Sequence, residues 1–121
     1  MNGFIIENNV LIKYEGNEVD IVIPNGVTAI GDGAFYGCKK IETILIPTSV
    51  KEIEEYAFTY CSSLKTITIP EGVTSLKNMT FYYCTSLENI TFGTNFKTPL
   101  VTTMSGMFTQ CSKLKTINTL I

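Results

Sequence analysis

Four cysteines, at positions 38, 61, 84 and 111, are the side chains of this 121-residue chain best suited to covalent or metal chemistry. They could pair as disulfides or hold a metal ion. Their spacings of 23, 23 and 27 residues do not match the C-x-x-C spacing of a zinc site. A ladder of buried thiols, small and apolar enough to fit a bend, explains the same spacing. Neighbouring Cα atoms in such a ladder could be near enough to bridge, but stacked thiols need not point at one another. Asp32, Glu42, Glu52, Glu54 and Glu55 fall close in repeat register and could form an acidic patch. A hard cation wants oxygen ligands converging on one point. Nothing in the spacing enforces that, so a solvated surface is the reading, and no metal or cofactor is expected.

The chain has no histidine, so the usual general base is missing. No serine sits in a nucleophile-elbow motif. Catalysis is therefore not expected. Arginine and tryptophan are also absent and the net charge is -2, which argues against nucleic-acid binding. The charge is uneven: residues 1–60 carry about -5 and residues 61–121 about +3. Head-to-tail association could use that asymmetry, although scattered surface charge explains it as well. No stretch is long enough for a membrane span. The start, "MNGFIIENNVLIKYEG", lacks the basic region and cleavage site of a signal peptide. Either the protein stays inside the cell or a leader has been trimmed.

The elements that position these residues follow a repeat. Pro24, Pro47 and Pro70 share one position at a period of 23. Val27, Val50 and Val73 share another, as do Ile30, Ile53 and Leu76, then Phe35, Phe58 and Phe81. The cysteines follow, then Ile41, Leu64 and Leu87, then Ile44, Ile67 and Ile90. A fourth copy, spaced 27 on, holds Phe108, Cys111, Leu114 and Ile117, with the extra residues around "GTNFKTPL". Periods in the twenties mark a solenoid, in which one coil cannot bury its apolar stripe without neighbours.

Within a unit, "LKTITIP" alternates, so Ile67 and Ile69 face inward while Thr66 and Thr68 face out. Proline then ends the strand at a corner, because it has no N–H to give the ladder. Val73 and Leu76 anchor the following turn. The helix-like spacing of Ile53, Ala57 and Phe58 predicts a short helix or 3₁₀ turn. Residues 1–18 read as a hairpin, strands 4–6 and 10–14, that caps the first coil. The expected class is thus an α+β solenoid: a right-handed coil with one short strand per repeat and short helical or 3₁₀ turns. About four repeats span 19–121, either as a single domain or as a fragment of a longer one. "LKTINTLI" stops inside a strand pattern, so either the natural chain continues, the favoured reading, or an open end meets a partner, including another copy.

"VTAIGDGAFYGCKKIETILIP" and "VKEIEEYAFTYCSSLKTITIP" resemble the BspA-type leucine-rich repeat, also called the Treponema pallidum type. The likeness is strong over residues 19–92. "MSGMFTQCSKLKTIN" resembles a sister repeat with Met-x-x-Met-Phe. Thr80, where the other units have Ala34 and Ala57, departs from the pattern and should pack differently. The resemblance implies a curved solenoid on a microbial surface, binding host proteins such as fibronectin or fibrinogen. It places the protein outside the cell or on its surface, although the missing signal peptide leaves an intracellular scaffold open.

The surface expected to bind is the solvent side of the sheet. Its columns run Thr43, Thr66, Asn89, Thr116 and Leu45, Thr68, Thr91, Asn118, with Asp20 and Val22 ahead of them. Threonine also simply favours strands. Tyr56, Tyr60, Tyr82 and Tyr83 lie on the turn segments, and those left exposed are further contact candidates. Asn78-Met79-Thr80 and Asn89-Ile90-Thr91 fit the N-glycosylation pattern, which an Asn- and Thr-rich chain meets by chance. A protein-binding or adhesion module is the leading reading. A spacer with no ligand of its own is the alternative.

Overall fold

Asn8 and Asn9 both adopt left-handed backbone, with φ of 51° and 65°. A two-residue hairpin turn needs that pair of conformations, and asparagine tolerates them better than most residues. They join β1 (Phe4–Glu7) to β2 (Val10–Tyr14) as an antiparallel hairpin. The structure, a computed structural model, describes residues 3–73, 76, 77, 79–93 and 107–119, and for 116–119 the backbone alone. Asn78, the insertion at 94–100, Met104 and the terminal residues 120 and 121 lie outside the described residues.

The repeats then build two sheets, one wholly parallel and one that joins the antiparallel hairpin to parallel strands of the first two repeats. The first holds β3 (Asp20–Val22), β5 (Thr43–Leu45), β7 (Thr66–Thr68), β8 (Asn89–Phe92) and β9 (Thr116–Thr119), side by side in that order. The second adds β4 (Ala29–Ile30) and β6 (Glu52–Ile53) to the hairpin, in the order β1-β2-β4-β6. The hairpin covers the first coil by pairing Val10 with Ala29 and Leu11 with Ile30. β4 and β6 are two-residue strands in segments whose sequence reads only as a turn with apolar anchors. We number the coils 1 (19–41), 2 (42–64), 3 (65–87) and 4 (from 88).

Corners follow the prolines as expected. The N–H groups of Val27, Val50 and Val73 donate to the carbonyls of Pro24, Pro47 and Pro70 at 3.4, 3.2 and 3.0 Å. The valines are buried and close each turn onto the core.

The expected helical or 3₁₀ turns are not there, and the α+β class is corrected to a solenoid of strands and turns: no helix occurs among the described residues. The reason is where the N–H groups point. Ala34, Tyr36 and Cys38 donate three residues back, to Gly31, Gly33 and Phe35. Between them, Gly33, Phe35 and Gly37 donate across to Glu55, Ala57 and Thr59 of coil 2. A helix would keep all of these bonds inside one coil. Left-handed backbone recurs every fourth residue to turn the alternate groups outward, at Gly33 and Gly37, Tyr56 and Tyr60, Met79 and Tyr83, then Gln110. Such a conformation costs a non-glycine residue about 1–2 kcal/mol, offset by the bonds it permits between coils.

Like residues stack on like. Phe35 and Phe58 lie 5.5 Å apart, Phe58 and Phe81 5.4 Å, and Phe81 and Phe108 5.9 Å, all within 10° of parallel. Tyr14 of the hairpin sits 5.6 Å from Phe35 and extends the row. Phe108 keeps its place despite the longer spacing, so coil 4 packs in register. Thr80 is fully buried, and its hydroxyl donates to the Lys77 carbonyl at 2.6 Å, which lets a polar residue stand where coils 1 and 2 have alanine.

Candidate functional site

The thiols form the ladder, but three of them reach a carbonyl rather than another sulfur. Cys61, Cys84 and Cys111 Sγ donate to the Phe35, Phe58 and Phe81 carbonyls of the preceding coil, each at 3.1 Å. All four cysteines are free. Burial pushes the Cys61 and Cys84 thiols well above their ordinary range and Cys111 up to about 11. Cys38 is half-buried, and burial raises it too, against the opposing pull of Lys13. Thiols held protonated at neutral pH are poor nucleophiles and poor metal ligands. Cys38 lines a cleft of about 420 Å³ between the hairpin end at 13–18 and the turn at 36–41.

The carboxylates are spread along the coils. Glu42 pairs with Lys65 at 3.2 Å and Glu54 with Lys77 at 2.9 Å, each across one coil step. No cluster of acids and cysteines able to hold a metal occurs among the described residues.

The five-stranded sheet brings the expected contact residues together. Thr43, Thr66, Asn89 and Thr116 share one register row. In the next, Thr68 pairs with Thr91 and Thr91 with Asn118, while Leu45 pairs with Val22. Thr66 and Thr68 are exposed, and Thr43, Asn89 and Thr91 half-buried. The side chains of Thr116 and Asn118 lie outside the described residues. The Thr43 hydroxyl donates to Asp20 Oδ1 at 2.7 Å, so part of the row is tied down. Val22 and Leu45 are the most exposed large apolar residues among the described ones, at 65% and 62%. Beside Leu45 a shallow groove of about 290 Å³ opens between β5 and β7.

The tyrosines form a second row on the turns. Tyr60 meets Tyr36 at 5.6 Å and Tyr83 at 5.1 Å, and Tyr82 contacts Tyr83 at 4.5 Å. Tyr36 and Tyr56 are exposed and the rest half-buried. The sequence reading passes over the groove and Ser49, which stands where the other coils have Gly26 and Gly72. That departure from the repeat was its one visible signal.

The profile of the BspA type leucine rich repeat region matches residues 5–120, in six copies. Among solved structures, the chain is similar to a leucine rich cell surface protein from Faecalibacterium prausnitzii A2-165. The identity is 28%, the TM-score 0.65, and the match covers 96% of this chain and 37% of that one. A leucine-rich repeat protein from Bacteroides ovatus is 28% identical with a TM-score of 0.63, over 91% of this chain and 32% of that one. The T. pallidum leucine rich repeat protein shares the fold at 22% identity and a TM-score of 0.69, over 94% and 66%. The chain thus spans about a third to two-thirds of the length of these proteins. No curated protein matches it with significance.

Proposed function

We propose a function from one premise: the chain belongs to the BspA-type leucine-rich repeat family, whose profile it matches from residue 5 to 120. On that premise it is a non-enzymatic protein-binding module of a microbial surface protein, and it meets its partner with the outer face of the five-stranded sheet. The observation that carries this is the pairing of Val22 with Leu45, two-thirds exposed, beside a face of hydroxyls and amides. A strand needs no leucine on its solvent side, and exposed apolar groups rimmed by polar ones suit a protein contact. The F. prausnitzii relative is described as a cell surface protein, which supports the location. No helix among the described residues is long and apolar enough to cross a membrane.

The test uses the triple variant Thr66→Ala, Thr68→Ala, Asn89→Ala against immobilised host matrix and plasma proteins, fibronectin and fibrinogen first. Capture by the parent and its loss in the variant, at an unchanged melting temperature, is the expected result. Capture by neither protein overturns the reading in favour of a spacer.

A further inference from the structure

The hairpin caps one sheet and leaves the other open. β2 pairs with β4 at Val10 and Leu11, so the four-stranded sheet starts in the hairpin. The five-stranded sheet starts at β3, and among the described residues no strand lies ahead of it. The Glu42 and Thr43 N–H groups donate to the Val19 carbonyl, and Ile23 N–H donates to the Leu45 carbonyl at 3.1 Å. Backbone groups alternate sides along a strand. Ile21 therefore also faces β5, while the N–H and carbonyl groups of Asp20 and Val22 face the open edge. These four groups have no backbone partner among the described residues.

The side chains along this edge are open as well. Val19, Asp20 and Val22 are all exposed. The Asp20 carboxylate takes one hydrogen bond, from the Thr43 hydroxyl, and forms no ion pair among the described residues. The neighbouring acids Glu15 and Glu18 line the cleft together with Lys13, Lys39 and Lys40. Asp20 lies outside that cleft and is the charged group that an incoming strand meets.

An unpaired edge is a template for a further strand. Each backbone bond gains little over the water it displaces, so side chains choose the partner. A strand added in register sets one residue beside Asp20 and, two places away, another beside Val22, both on the outer face. A cation suits the first place. An apolar side chain suits the second, where it continues the row of Val22 and Leu45. A second copy fits poorly, because it would set Asp20 against a valine and bring together two N-terminal halves of about -5 each. We propose that the free edge of β3 binds an extended segment of a partner protein as a sixth strand, with a lysine or arginine beside Asp20 and an apolar residue beside Val22. The contact is made by main chain at the sheet's edge, so it goes beyond the sheet-face reading and does not depend on it.

Amide exchange and chemical shifts of the whole chain, ¹⁵N-labelled, test this with two peptides, Ac-Lys-Thr-Val-Thr-Lys-NH₂ and Ac-Glu-Thr-Val-Thr-Glu-NH₂. Each reads alike in both directions, so either strand polarity sets valine beside Val22 and the charge beside Asp20. In the free protein the Asp20 and Val22 amides should exchange about ten-fold faster than the Ile23 amide. The lysine peptide should shift and protect both at millimolar concentration, several-fold more tightly than the glutamate peptide. Asp20→Asn should erase that preference. Val22→Pro, which removes an N–H facing the edge, should erase binding of both peptides. Asp20 and Val22 amides already protected in the free protein overturn the proposal, because the edge would be covered. Protection that instead grows with protein concentration overturns it in favour of a second copy. Exchange that neither peptide slows overturns it too, with Asp20 then only guarding the edge. If the peptides fail while the triple variant loses its partner, the sheet-face reading stands and only the edge site falls.

Discussion

Replacing Phe58 by alanine probes the stacking that every coil depends on. Phe58 is fully buried between Phe35 and Phe81, at 5.5 and 5.4 Å and within 10° of parallel to both. Truncating a buried phenylalanine costs about 3–5 kcal/mol, from lost transfer and the cavity left behind. A domain of this length has about 6–18 kcal/mol in total. With a urea slope of about 2 kcal/mol/M, the unfolding midpoint should fall by roughly 1.5–2.5 M. Phe108→Ala is the internal control. Phe108 is half-buried, and its described ring contact is Phe81 alone, so its loss should be about 1–2 kcal/mol. Because coils touch only their neighbours, Phe58→Ala should also split the transition as the two halves uncouple. Equal costs for the two variants, or a Phe58→Ala cost below about 1 kcal/mol, would refute like-on-like stacking as the source of stability.

Gly37→Ala should cost about 1 kcal/mol in urea unfolding, because φ is +71° there while nothing lies within 4 Å of an added methyl. Burial raises the thiols of Cys61, Cys84 and Cys111 above their unfolded values, Cys111 to about 11. Their stabilisation is complete below the unfolded thiol range and is lost as pH climbs through the folded one. The melting temperature should thus hold steady to about pH 8 and decline from about pH 9 to 11, with a shallower decline in Cys84→Ala. Leu45→Thr should leave stability within about 0.5 kcal/mol yet weaken partner capture in the assay used for the triple variant.

The coil repeat, its corners and its inward residues were legible because each is a one-dimensional pattern. A proline every 23 residues, with isoleucines alternating before it, has few structural solutions. The turn at Ala57 and Phe58 was misread because inward spacing of four residues fits a helix as well as a zigzag with a left-handed residue in every four. Only the hydrogen bonds to the next coil distinguish them, and those need two coils at once. Tyr56, Tyr60, Met79 and Tyr83 hide the signal further, since none is a residue that usually announces positive φ. The sheet face was legible as a set of residues. The groove between β5 and β7 was not, because it takes two coils side by side to form.

Register also decides what the outer columns can contain. Parallel strands in register put equivalent residues about 4.8 Å apart, and like charges facing at that distance repel. The column Glu42, Lys65, Glu88, Lys115 resolves this by alternating sign, and each residue's N–H donates to the carbonyl of the one before it. The threonine and asparagine rows resolve it by carrying no charge at all. Their neutrality therefore follows from stacking and is no evidence of a partner. What stacking leaves unexplained is Leu45, in a row that continues with Thr68 and Thr91. Threonine would satisfy the strand there and expose less apolar surface. Any selection for a partner on this face is therefore to be sought in its departures from the repeat, Leu45 and Val22 on the outside, of which Leu45 lines the groove between β5 and β7.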